Sequence, residues 1–471
     1  MRAFPVCLLG VALAAMGCAH TTAAPGERPP ALEGAFQGTL NIGAVHLRLV
    51  LHIDRQPVGW SATFDSIDQN ARGIPIDGVI VTGRRVWLAS SRIKASFDAV
   101  LDGDRLTGTF RQRGLELPLA LTRTAAPLAV VAQPQTPTRP FPYDELMLAI
   151  DNPAGHDTLG CTLTKPRAAG PFPAVVMITG SGPQDRDETI MGHKPFLVLA
   201  DALTRRGIAV LRCDDRGVGA STGDYAAATT FDFVSDALAA VAALRTRPDI
   251  APGAVGLVGH SEGAIVAPMA AAASKDVRFV VLLAAPAVPG DETLYLQGAA
   301  IARAAGASEA QIAAETAFKR EVFGIVKAAK DGPAAAEELR RRYAALPEAE
   351  RRALEPRPGT VEAQIGQVTS PWLKTFLSLD PRVYLRQLAV PALAIQGLRD
   401  IQVVPDPNLA ELRQALAGKP DVTIRPLPGL NHLLQSCHAC TVDEYSHLEE
   451  TMSPAVPSLV ADWIMQHAGA P

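Results

Sequence analysis

The chain has 471 residues, 48% of them hydrophobic and 20% charged, with a formal charge of −4 at pH 7. That length holds more than one domain and a sizeable core. So small a net charge gives no electrostatic footprint for nucleic acid or for an anionic membrane surface, and no nucleic-acid partner is expected.

At the amino terminus, Arg2 precedes an apolar stretch over residues 3–16 and then Gly17-Cys18. This reads as an export signal over 1–18, too short to span a membrane. Ala15-Met16-Gly17-Cys18 resembles a bacterial lipobox, which would make Cys18 a lipid anchor; small residues at 15 and 17 equally suit ordinary signal cleavage. The expected destination is the cell envelope or the space beyond it.

Residues 31–124 show period-two patterning and predict an antiparallel all-β domain of about eight short strands, a small barrel or curled sheet. Leu47, Leu49, Leu51 and Ile53 form one alternating run, and Leu115, Leu117, Leu119 and Leu121 another. Trp60, Trp87, Phe64, Phe97 and Phe110 are its core candidates, with a ligand pocket as the alternative. Four prolines, at 134, 137, 140 and 142, then mark residues 125–142 as an extended connector.

From Tyr143 to residue 470 strands alternate with helices, predicting a mostly parallel α/β sheet covered on both faces. The apolar run 174–178 enters Thr179-Gly180-Ser181-Gly182-Pro183, a loop whose backbone can approach a substrate closely. The backbone amide of Ser181, or else of Gly182, is a candidate donor to a developing oxyanion. Asp214, Asp215 and Arg216 read as a loop held by its own ion pairs, whereas Asp185, Arg186 and Asp187 have no assigned role.

Residues 254–258 lead into Gly259-His260-Ser261-Glu262-Gly263 and then a small-residue helix at 264–273. Strand, sharp turn and helix around GxSxG make a nucleophile elbow, with Ser261 as nucleophile and the Glu262 amide as the other oxyanion donor. A serine hydroxyl needs a base and an acid to orient that base. About a hundred residues follow the next strand, at 279–283, before another strand begins, and helical spacing at 299–305, 309–330 and 334–345 predicts a helical cap inserted over 291–390. Trp372 and Phe376 in that cap are candidates for the substrate pocket or for ordinary helix core. Asp400 follows the strand 391–397, and His432 follows the strand 422–427; they are the candidate acid and base. Beyond them, Cys437 and Cys440 form a disulfide, stay free thiols, or join His438 at a metal. Cys161 and Cys213, in apparent strands, read as small buried side chains.

The run from Gly180 to Asp187, Leu211 to Gly219 with Ser221-Thr222-Gly223, Gly259 to Gly263, and Leu430-Asn431-His432 together resemble the secreted bacterial serine esterases of the α/β-hydrolase superfamily. That branch is related to serine aminopeptidase-like and prolyl-oligopeptidase-like hydrolases. The resemblance covers about residues 143–470 and implies cleavage of short acyl esters through Ser261, Asp400 and His432. It also implies a β module ahead of the catalytic domain. Cys213 stands where a larger residue is expected. A small-molecule ester is the expected partner, no metal or organic cofactor is implied, and the oligomeric state is open. Two rivals are a peptidase using the same triad, with Glu262 or another acid recognising a substrate amine, and an inactive envelope-binding module.

Overall fold

The computed structural model describes residues 32–42, 45–69, 71–112, 115–128, 133–354, 359–419 and 421–468. The expected export segment at 1–18, with Cys18, lies outside them. The chain divides into two compact units, residues 1–129 with 341–363, and residues 130–340 with 364–471.

Among the described residues the first unit contains nine strands: β1 (Gly34–Ile42), β2 (Val45–Arg55), β3 (Trp60–Ser66), β4 (Ala71–Ile76), β5 (Gly78–Thr82), β6 (Arg85–Ser90), β7 (Ala95–Asp102), β8 (Arg105–Gln112) and β9 (Leu115–Thr124). They form one antiparallel sheet in the order β4-β3-β2-β1-β9-β8-β7-β6-β5. The edge strands β4 and β5 adjoin in sequence across Asp77, so the sheet curls on itself. Alternation places Leu49, Leu51 and Ile53 of β2 inside with Phe36, Phe64, Phe97 and Phe110, where each apolar side chain contributes about 1.5–3 kcal/mol of burial. Trp87 is a correction to the expected core: it faces outward, 39% exposed. Its ring covers Gly78, where a Cβ would meet it at 2.9 Å, the way an aromatic shields an edge-strand glycine.

The second unit is built on eight strands among the described residues: β10 (Asp144–Asn152), β11 (Asp157–Lys165), β12 (Phe172–Ile178), β13 (Ala209–Cys213), β14 (Ile250–His260), β15 (Val280–Leu283), β16 (Ala392–Gly397) and β17 (Val422–Leu427). Their order is β10-β11-β13-β12-β14-β15-β16-β17, with β10, β11 and β13 paired antiparallel and the rest parallel. The chain leaves β12 to both sides, which opens a crevice at the carboxyl ends of β12 and β14.

Three helices, α1 (Pro195–Arg205), α2 (Thr230–Arg245) and α3 (Gly263–Ala273), alternate with these strands. Between β15 and β16 come α4 (Gly290–Ala304), α5 (Glu309–Ala328), α6 (Gly332–Ala344), α7 (Glu348–Leu354), α8 (Thr360–Val368), α9 (Pro371–Ser378) and α10 (Pro381–Gln387), and α11 (Pro405–Ala415) and α12 (Ala455–His467) follow. Successive strand residues face opposite layers. Val176 and Ile178 pack with Val241 of α2 and Ala270 of α3, while Val175 and Met177 pack with Leu199 of α1 and Ile464 of α12. This is an α/β-hydrolase fold with helices on both faces.

Two expectations need correction. Cys161 and Cys213 are not simply small buried residues; they form a disulfide. They stand directly opposite each other where β11 and β13 run antiparallel, a pairing that depends on register across 52 residues of sequence. The connector, too, is not extended throughout. Gln135 receives the amides of Thr451 and Met452 at 2.5 and 3.0 Å and donates to the Met452 carbonyl at 2.7 Å, which docks this stretch in front of α12.

Candidate active site

Strand β14 delivers the chain to Ser261, whose φ is +54°, a left-handed conformation that costs a residue with a Cβ roughly 1–2 kcal/mol. The flanking glycines make the turn possible. A Cβ at Gly259 would lie 2.0 Å from the Gly263 carbonyl oxygen, and one at Gly263 would lie 2.1 Å from that of Ile178. The Ser261 amide donates to the Leu283 carbonyl at the end of β15, 2.9 Å away.

His432 arrives from the loop after β17, and its Nε2 lies 3.1 Å from Ser261 Oγ. Its Nδ1 lies 2.8 Å from Oδ2 of Asp400, which sits in the turn after β16. The other Asp400 oxygen accepts the amides of Gln402 and Val403, each at 2.8 Å, and Gln396 adds a bond to Oδ2 at 3.0 Å. Those donors hold the carboxylate in one orientation. The histidine loop is fixed by Asn431 and Gln435, which are fully buried and exchange side-chain and backbone hydrogen bonds. Three residues scattered over 172 positions of sequence thus form one hydrogen-bonded line, with the geometry of a general base beside a nucleophile.

The amides of Ser181 and Glu262 donate to no protein group among the described residues. The amide of Gly180 is differently placed, since it donates to Glu188 Oε1 at 2.7 Å. The loop bearing Ser181 packs so tightly on the elbow that a Cβ at Gly180 would be 3.2 Å from the Cβ of Ser261.

The Glu262 side chain is enclosed. It is 2% exposed, and its oxygens accept from Thr230 Oγ1 at 2.6 Å and from Trp372 Nε1 at 2.8 and 3.0 Å. Burial raises its carboxyl above the ordinary range, opposed by hydrogen bonds from Thr230, Trp372 and Ser181. Trp372 is therefore a partner of the residue after Ser261. It stacks on Phe376 with ring centres 5.3 Å apart. Phe376 itself is buried among Ile265, Met269 and Leu379, so it belongs to the core beneath α9 rather than to a pocket wall.

The charged loops are held by ion pairs and backbone bonds. Arg186 grips both oxygens of Asp214 at 2.9 and 2.6 Å, Arg212 pairs with Asp187, and Arg216 pairs with Asp236 at 2.7 Å. Asp185 turns its loop by accepting the amides of Asp187 and Thr189, each at 3.0 Å. Asp215 accepts from Thr179 at 2.7 Å and from the Gln184 amide at 2.8 Å, and burial pushes its carboxyl up to about 7. Cys437 and Cys440 are joined as a disulfide. Nearby, Glu444 accepts the amides of His438, Ala439 and Cys440.

Two residues at the site had no assigned role in the sequence reading. His260 Nδ1 lies 2.9 Å from Glu188 Oε1, and its Nε2 lies 3.1 Å from the carbonyl oxygen of His432. The signal available was a histidine inside the elbow pentapeptide and a third acid, directly after Asp185 and Asp187.

Residues 155–428 match the family described as X-Pro dipeptidyl-peptidase (S15 family), a stretch that contains Ser261 and Asp400 and stops four residues short of His432. The esterase EstD of Thermotoga maritima is 31% identical over 282 residues, 58% of this chain and 57% of its own length; the match therefore spans little more than half of that relative. An esterase from Pyrococcus furiosus is 16% identical, with 72% of this chain and 98% of that one covered, at a TM-score of 0.42. A proline iminopeptidase from Mycobacterium smegmatis is 18% identical, with 69% and 99% covered, also at 0.42.

Proposed function

The chain belongs to the X-Pro dipeptidyl-peptidase (S15) family, and from that premise we propose that it is a serine hydrolase cleaving carboxylic esters through an acyl-enzyme on Ser261. The observation that carries this reading is the continuous line from Ser261 Oγ through His432 to Asp400, at 3.1 and 2.8 Å. His432 takes the serine proton as Oγ attacks the ester carbonyl. The amides of Ser181 and Glu262 receive the resulting oxyanion. His432 then protonates the departing alcohol, and later it activates the water that releases the acid. Asp400 keeps the imidazole in the required tautomer and stabilises its charged form.

An ester substrate is supported by the likeness to the esterase EstD and by the enclosure of Glu262, whose carboxylate already has Thr230 and Trp372 as partners. That leaves it unavailable to a peptide amino group. The family description favours a second reading, removal of X-Pro dipeptides by the same serine. We also propose export to the cell envelope, supported by two disulfides, which persist in oxidising compartments.

A fluorophosphonate probe, followed by side-by-side turnover of a short acyl ester and an X-Pro anilide, tests this reading. Labelling at Ser261 with preference for the ester is expected. Preference for the anilide would transfer the assignment to the peptidase, and no labelling at all would leave a binding module.

A further inference from the structure

Three loops must keep register for the chemistry proposed above: the oxyanion loop after β12, the elbow after β14 and the histidine loop after β17. One buried pair of side chains touches all three. We infer that Glu188 and His260 act as a positioning pair, holding the Gly180 amide, the elbow and the backbone of His432 in a fixed relation to Ser261. The inference rests on the serine-hydrolase reading and adds to it two residues that touch no substrate.

The geometry begins in the oxyanion loop itself. Asp185 accepts the amides of Asp187 and Thr189, and its carbonyl accepts the Glu188 amide at 2.9 Å. The loop folds back so that Glu188, at φ +53° and 1% exposed, aims its carboxylate at Gly180 eight positions earlier. A strained backbone at a buried acid marks a side chain whose direction is over-determined by its surroundings. Oε1 receives both the Gly180 amide at 2.7 Å and His260 Nδ1 at 2.9 Å.

His260 then carries the connection onward. Its two ring nitrogens face a carboxylate and a backbone carbonyl, neither of which has a proton to give, so both nitrogens donate and the ring is charged. Burial alone would depress this imidazole; Glu188, by its charge and hydrogen bond, outweighs that and raises it. The pair is neutral as a unit, as a buried charge requires. Its far end binds the carbonyl of His432 at 3.1 Å, with the two imidazole rings 4.9 Å apart. With Gly180 committed to Glu188, the next amide along, that of Ser181, is the one left to meet an oxyanion.

Glu188→Gln keeps the size of the side chain and an acceptor for Gly180, but removes the charge that holds the His260 proton. His260→Gln keeps the reach toward His432 and gives up Glu188. Both variants, the double variant and the full-length parent are compared on a soluble acyl ester, with active sites counted by the fluorophosphonate and folding checked by near-ultraviolet circular dichroism. Misplaced reacting groups cost turnover on the order of 10²-fold, so each single change should lower kcat per labelled site by about that factor. KM should stay within about threefold, since ground-state binding is untouched. The labelling rate should fall in parallel, and the double variant should be no slower than the slower single, as expected of groups that act as one. Parent-like kcat per labelled site in Glu188→Gln, even with a lowered melting temperature, would overturn the inference, and so would multiplicative effects in the double. Should Glu188→Gln not fold, the kcat and KM of His260→Gln decide alone. A parent enzyme that never labels overturns the serine-hydrolase reading instead, so the two failures are distinct.

Discussion

The indole N–H of Trp372 lies 2.8 and 3.0 Å from the two carboxylate oxygens of Glu262, so helix α9 of the inserted segment is tied to the residue immediately after Ser261. Any movement of α9 is felt at the elbow, because a buried carboxylate that loses a donor has no water to replace it.

Trp372→Phe keeps an aromatic ring to stack on Phe376 while deleting the donor and trimming the indole. It should cost about 1–3 kcal/mol, the penalty for leaving a buried acceptor short of a partner, and it should change the relative turnover of short and long acyl esters. Denaturant unfolding and a chain-length series measure the two effects. An unaltered chain-length profile would make the Trp372 bond purely structural. Phe376→Ala, by contrast, should lose about 3–5 kcal/mol as a core truncation.

Ser261→Ala and His432→Ala should each abolish nearly all turnover while leaving the fold in place, with a drop of about 10⁴-fold or more because the relay works as a unit. Asp400→Asn should fall by about 10⁴-fold, as the wrong tautomer of His432 becomes favoured. Steady-state kinetics on protein of verified circular dichroism reads these outcomes. Near-native rates in folded Ser261→Ala would remove the nucleophile from its assigned role.

Asp215 sets a pH dependence of stability. Its ordinary value is 3.8 and burial raises it to about 7 in the fold, so the native state holds a proton that the unfolded chain releases earlier. Stability from this group is complete below pH 4, declines as pH rises toward 7 and is level above. The steepest decline is about 1.4 kcal/mol per pH unit. The difference in unfolding free energy between the parent and Asp215→Asn, followed from pH 3.5 to 8, should trace that descent. A flat difference would mean that Asp215 is ionised in the fold throughout.

Removing the Cys161–Cys213 disulfide with paired serines should cost about 4 kcal/mol by the loop-entropy relation, given the 52-residue separation. Calorimetry with and without reductant checks it. Equal stability of the oxidised and reduced parent would show that the strand pairing alone suffices.

The hydrogen-bonded line from Ser261 through His432 to Asp400 was legible in the sequence because each of its members sits at a strand end next to a local signature: glycines around Ser261, a buried run before Asp400, and Leu430-Asn431 before His432. The β meander was legible from the alternation of Leu49, Leu51 and Ile53. What escaped depends on contacts that no local pattern encodes. Cys161 meets Cys213 through strand register, and Glu188 meets His260 across 72 positions. Trp87 is different: it faces outward because alternation along β6 turns its neighbours Val86 and Leu88 inward, a pattern the sequence did carry. Phe376 could not be told from a pocket residue, since aromatic residues at helical spacing suit either side of α9.

The left-handed backbone at Ser261 sets folding and chemistry against each other at a single position. Glycine there would relieve the conformational cost and give up the bond between Oγ and His432. A chain freed from any requirement to turn over substrate thus has an easy downhill substitution available, one that makes it sturdier and inert.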